Sequence, residues 1–184
     1  MNKLAIALSA ALSLGGTASA HAADGTITFT GKVVASTCSV DIGGGGGTAT
    51  VALRQISSSA HKSDDKVGST PFTITLTTGG GAATCSKDNA RLVIDTTESN
   101  LSTTGMITDA PGGSGDRTNA YVKLVDAATD TDINLKNLAD PFLVATKGTT
   151  DFKYNWIARY HNPTSDDLTE GEFSGKLVFD VDNY

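Results

Sequence analysis

The chain has 184 residues, of which 18% are charged and 6% aromatic, with a formal net charge of -6. That length makes one domain the default, with enough chain for a sizeable core. The acidic balance excludes an electrostatic nucleic-acid binder, which needs a basic face. The abundance of Gly, Thr, Ser, Ala and Val suits a sandwich of short strands better than a helical bundle.

In chain order, the first element is a targeting segment. Lys3 supplies a positive start, and 4–14 (LAIALSAALSL) is an apolar run too short to span a bilayer comfortably. Gly15 and Gly16 break it, and two small-residue cleavage sites follow, Ala18-Ser19-Ala20 and Ala20-His21-Ala22. Cleavage after Ala22 is favoured, which assigns 1–22 to a signal peptide and makes Ala23 the mature N-terminus; cleavage after Ala20 is the alternative. No second long apolar segment follows, so the mature chain is expected to be exported, with no stable membrane insertion.

Segment 23–34 alternates strictly. Gly25, Ile27, Phe29, Gly31 and Val33 share one face, and Thr26, Thr28, Thr30 and Lys32 the other. The two cysteines, Cys38 and Cys85, are an even pair in an exported chain and read most simply as one disulfide. A free or metal-binding pair is the alternative, but no CxxC spacing or neighbouring histidine cluster supports it. The glycine run from Gly43 to Gly47 is not followed by Lys-Ser/Thr, so it reads as a flexible turn rather than a phosphate loop.

Beyond it, 48–53 is expected to be a short strand and 55–69 a long polar connection. Segment 71–77 alternates with Phe72, Ile74 and Leu76 inward, and 91–95 is a continuous apolar run suited to a central strand. Glycines and Pro111 make 96–117 a loop around a short Met106-Ile107 segment. A strand over 120–125 ends in a turn at Asp126, and 133–138 is either a short strand or an irregular edge. Tyr154, Trp156, Ala158 and Tyr160 alternate with Asn155 and Arg159, and Asn162-Pro163 marks a turn. No helix-period segment of ten residues follows the targeting segment, and no internal repeat or second domain is visible. Seven or eight strands separated by turn signals describe an all-β sandwich.

The last fourteen residues, from Gly171 to Tyr184, organise this reading. Leu177, Phe179 and Val181 point one way, and Lys176, Asp180 and Asp182 the other. No partner strand follows them. An apolar edge left open invites pairing with another chain, and the amphipathic strand at 23–31 is a complementary half for such an interface.

Several segments in this order resemble the major pilin subunits of the chaperone–usher class, close to the type 1 fimbrial pilins. They are 25–33 (GTITFTGKV) shortly before Cys38, 50–53 (TVAL) before a polar loop, 71–76 (PFTITL) before Cys85, 157–160 (IARY), and Gly171, fourteenth from the end. The resemblance covers 23–184. It implies an incomplete immunoglobulin-like β-sandwich over 32–184 that lacks its last strand and is completed by a donor strand from a neighbouring subunit. The donor would be the extension 23–31, with Gly25, Ile27, Phe29 and Gly31 facing inward. The acceptor groove beside the last strand would involve Gly171, Phe173, Leu177, Phe179, Val181 and Tyr184. The partners implied are identical subunits, a periplasmic chaperone, an outer-membrane usher and, as a further candidate, a tip adhesin. The location implied is a surface fimbrium of a Gram-negative bacterium, reached through the periplasm and used in adhesion. The family usually has tyrosine second from the end; here that position is Asn183, and Tyr184 is out of phase with Phe179 and Val181. A bulge in the last strand or a divergent branch would account for this.

Other classes fit the residues less well. His21, His61 and His161 sit in no HExxH motif, no GxSxG occurs, and Asp64-Asp65 and Asp166-Asp167 read as solvated turn acids, so no catalytic residue, metal or cofactor is expected. Tyr154, Trp156 and Tyr160 could form a carbohydrate platform, but their shared parity reads first as core. A minor or adaptor pilin, or a free-standing secreted β-sandwich binding protein, remains the alternative to a major subunit.

Overall fold

The computed structural model describes residues 38–60, 64–77, 85, 87–110, 117–164 and 167–184. Nine strands run through them: β1 (Ser39–Ile42), β2 (Thr70–Thr77), β3 (Asn89–Ile94), β4 (Ile107–Thr108), β5 (Tyr121–Asp126), β6 (Asp132–Ile133), β7 (Val144–Thr146), β8 (Asp151–His161) and β9 (Phe179–Asn183). The first sheet has the order β1-β2-β8-β5-β4, with β6 also on β5, and the second is β7-β3-β9. The named pairs are all antiparallel.

The alternation that defines each strand decides what it buries. Along β8, Phe152, Tyr154, Trp156 and Ala158 are buried while Lys153 and Asn155 are exposed. They meet Ile74 and Leu76 of β2, Val122 and Leu124 of β5, and Ala90, Leu92 and Ile94 of β3 in one core. Pro71 falls beyond the stretch of β2 that pairs with β1, where no ladder bond to β1 needs its missing N–H. Phe72 meets Trp156 edge-on at 6.1 Å, and Trp156 is 1% exposed. Tyr154 is buried too, its hydroxyl donating to the Ala90 carbonyl at 2.8 Å. These two aromatics are core rather than a carbohydrate platform. Cys38, before β1, is bonded to Cys85, which precedes β3, so the bridge links the approaches to the two sheets across a sequence separation of 47.

The fold is all-β, an immunoglobulin-like sandwich lacking a strand. Some elements differ from the sequence expectations. Segment 48–53 is in no strand: it lies against the core through Leu53 but, among the described residues, has no neighbour to form a ladder with. Strand β7, preceded by a 3-10 turn at Pro141–Leu143, was not foreseen. Of 133–138, only Ile133 joins a strand, pairing with Leu124. The register of β9 on β3 runs without interruption from Ile94↔Phe179 to Ala90↔Asn183, so no bulge re-phases the C-terminal residues.

Candidate functional site

An open groove of about 460 Å³ lies beside β9. One wall is 49–53. The other is 173–179, and the floor is made of core side chains including Phe72, Ile74, Ile107, Val122, Leu124, Ala158 and Tyr160.

Among the described residues, the main chain of the 173–179 wall is hydrogen-bonded on its far side alone. Ser174, Lys176 and Val178 bond to residues between β3 and β5: Ala110 N donates to Ser174 O (2.7 Å), Asn100 N to Lys176 O (2.8 Å) and Asp95 N to Val178 O (2.9 Å). Side chains complete the seam. Ser174 N donates to Asp109 Oδ1, Lys176 N to Asn100 Oδ1 and Val178 N to Ser99 Oγ. Asp109 is itself fixed by an ion pair with Arg117. The Asp95 carboxylate closes the turn beside the seam, and its hydrogen bonds from Thr97 and from the Glu98 backbone pull it below its ordinary range.

Bonding by even-numbered residues has a direct consequence. In antiparallel pairing a residue presents its N–H and C=O to one side and the next residue to the other. Gly175, Leu177, Phe179 and Val181 therefore offer theirs to the groove edge, since among the described residues β9 is the last strand of its sheet. Across the groove, among the described residues, the backbone of 49–53 has no hydrogen-bond partner. The site is thus a slot between two wall segments whose groove-side main-chain groups are unpaired among the described residues, with the chemistry to accept one extended segment: main-chain donors and acceptors along both walls and an apolar floor.

At one end Tyr160 packs edge-on against Phe173 at 6.3 Å, and burial pushes its phenol above the ordinary value. Past Tyr160 the groove adjoins a smaller, more polar pocket of about 290 Å³ lined by Gln55, Ser58, Thr118, Thr169, Glu170 and Gly171, among others.

The structure places the expected site residues as follows. Phe173, Leu177 and Phe179 line the slot, and Val181 packs on the core further along β9. Gly171 belongs to the polar pocket. Tyr184 is on the opposite face, 46% exposed, with the Arg91 guanidinium 5.4 Å from its ring centroid. The Asn183 side chain accepts from Lys87 N and donates to Asn89 O, pinning the end of β9 to β3. Gly25, Ile27, Phe29 and Gly31, with the rest of the 1–22 and 23–31 assignments, lie outside the described residues.

Sequence reasoning missed Gly175. A Cβ there would lie 2.5 Å from Ile107 Cγ2, 2.9 Å from the Thr108 carbonyl and 3.0 Å from Phe173 Cζ. The wall approaches β4 of the other sheet too closely for a side chain. The sequence signal was a glycine at an inward-facing position of an otherwise apolar face. Among the described residues, no group of three or more His, Cys, Asp or Glu could hold a metal ion, and no helix is long and apolar enough to cross a membrane.

A family model described as "Fimbrial protein" matches residues 27–183. Among solved structures, a chain from a chaperone–usher pilus is similar at 19% identity and TM-score 0.50, over 87% of this chain and 95% of its own. The P pilus rod subunit PapA is similar at 16% identity and TM-score 0.49, over 81% of this chain and 100% of its own. At such identities the first of these is a likeness of fold. No curated protein sequence matches.

Proposed function

The chain belongs to the fimbrial protein family, and we propose that it is a structural pilus subunit that polymerises by placing the N-terminal strand of one copy in the groove of the next. The observation that carries this reading is the slot between 49–53 and 173–179, bounded on both sides by main-chain groups that are unpaired among the described residues and floored by apolar side chains. A strand added there would gain main-chain bonds on both sides, while alternate side chains enter the floor.

Segment 23–31 has the matching pattern. Ile27 and Phe29 would supply the apolar anchors, each contributing roughly 2–3 kcal/mol on full burial, and Gly25 and Gly31 would allow close approach. Donor and acceptor are different surfaces of one chain, so the association is head-to-tail and does not close, which yields a filament rather than a ring. Until a neighbour arrives, the slot is an aggregation hazard, and a periplasmic chaperone lending a strand, followed by transfer at an outer-membrane usher, would protect it. The role is that of a major shaft subunit of a surface fimbrium, a structural rather than a catalytic one.

The test is to express the full chain with its export machinery and run periplasmic and surface fractions on a denaturing gel without heating. A parallel sample lacks 23–30 but keeps the signal cleavage site. The expected result is a ladder of heat-sensitive multimers from the intact chain and none from the truncation. A lone stable monomer in both samples would leave a free-standing exported sandwich instead.

A further inference from the structure

The turn between β5 and β6 carries one feature the turn itself does not need. Asp130 has φ 58°, and among the described residues it is the one non-glycine residue with positive φ. Such a position favours glycine. The turn is otherwise complete: the Asp126 carboxylate accepts from Ala128 N, Thr129 N and Thr129 Oγ1, and Asp130 N donates to Asp126 O. The Asp130 carboxylate points out of the turn to two cations, Lys66 Nζ and Arg159 Nη2, each at 2.5 Å. Arg159 is buried at 6% exposure and also donates through Nε to Ser69 Oγ at 3.0 Å. A guanidinium removed from water needs a counter-charge, and Asp130 supplies it. Loop 64–69 is thereby fastened to the outer face of β8.

From that loop, contacts run to the groove. Gly68 has φ 74°, and a Cβ there would lie 2.5 Å from Ile56 Cγ2 and 3.5 Å from Tyr160 Cδ2. Thr70 Oγ1 accepts from Arg54 N at 3.3 Å and donates to Gly68 O at 3.0 Å. Residues 54–56 continue the 49–53 wall directly. Among the described residues that wall has no backbone ladder of its own; Leu53 packs on the core, and what 54–56 rests upon is its further support.

We propose that the Asp130–Lys66–Arg159 cluster is a latch that positions the 49–53 wall, and so sets how firmly a strand is gripped in the groove. Its consequence for assembly rests on the pilus-subunit reading; its effect on the wall does not. Asp130 is a positioning residue, acting through loop 64–69.

The test uses the full exported chain with D130G, D130N and, as control on the same hairpin, D132N, which removes the exposed partner of Lys123. Glycine and asparagine both tolerate the left-handed backbone, so the turn survives and D130G relieves its conformational cost. Tryptic cleavage after Arg54, at the end of the wall, should accelerate roughly 3- to 30-fold in both Asp130 variants and stay unchanged in D132N. Multimers of the two variants should dissociate at lower temperature on unheated gels, and the urea midpoint should fall in both, less in D130G, where relief of the left-handed backbone offsets part of the lost ion pairs. Equal cleavage after Arg54 in all four proteins overturns the latch. Faster cleavage with unchanged multimers leaves the latch but removes its role in grip. Absence of multimers from the unmodified chain counts against the pilus reading, while the cleavage rates still decide the latch.

Discussion

Replacing Gly175 with alanine tests the geometry of the groove at its tightest point. The added Cβ meets Ile107 Cγ2 at 2.5 Å, the Thr108 carbonyl oxygen at 2.9 Å and Phe173 Cζ at 3.0 Å. Ile107 and Phe173 can turn, but the carbonyl belongs to the backbone of β4 and cannot leave without disturbing its pairing with β5. Overpacking of this kind costs about 1–3 kcal/mol, and the displaced wall should also narrow the slot. Gly47 provides the control. Its Cβ would find only Val40 O at 3.8 Å and Val40 Cβ at 3.9 Å, ordinary contacts, so G47A should be neutral or slightly stabilising through the unfolded chain. Urea unfolding followed by the fluorescence of Trp156 reads both. A lowered midpoint for G175A with an unshifted or raised one for G47A is the expected outcome. Equal midpoints would refute the close approach of the 173–179 wall to β4.

Three further outcomes follow from the fold. Removing the bridge with C38A/C85A frees a loop spanning a sequence separation of 47, which in the chain-entropy model costs about 4 kcal/mol; a urea midpoint that barely moves would contradict it. Y154F takes away the donor to the buried Ala90 carbonyl and should cost roughly 1–3 kcal/mol, checked by thermal unfolding against the unmodified chain. Hydrogen bonds from Lys66 and Arg159 lower the Asp130 carboxyl from 3.8 to about 2. Its folded pKa is depressed, so its contribution is fully present above pH 3.8 and is lost as pH falls through about 2. The stability difference between the unmodified chain and D130N should be constant above that window and vanish below it, and a difference independent of pH would contradict the ion pairs.

Much of the sandwich was legible in the chain because period-two alternation is a local signal. In β2, β5 and β8 it marks which residues enter the core, and in β3 the apolar run marks a strand with neighbours on both sides. What stayed hidden depends on contacts distant in sequence. Segment 48–53 has strand composition, yet pairing requires a neighbour, and the described residues provide none. Strand β7 is only three residues long, too short for a period to show. Leu177 and Phe179 were legible as an inward face, whereas the crowding at Gly175 comes from β4, nearly seventy residues earlier. Asp130 looked like one more turn acid, and only the folded chain brings Lys66 and Arg159 to it. Tyr184 was legibly out of phase, and the uninterrupted register of β9 on β3 carries that phase to the exposed face beside Arg91.

In the proposed filament, 49–53 and the outer edge of 173–183 are paired by a strand from another copy. Amide hydrogen exchange, measured on multimers of the full chain and on an I27D/F29D variant that should remain monomeric, tests it most directly. The amides of Ser174, Lys176 and Val178 already have partners and serve as internal references. The amides of 49–53 and of Gly175, Leu177, Phe179 and Val181 should exchange slowly in the multimers and fast in the variant. Equal exchange at those positions in both samples would contradict it.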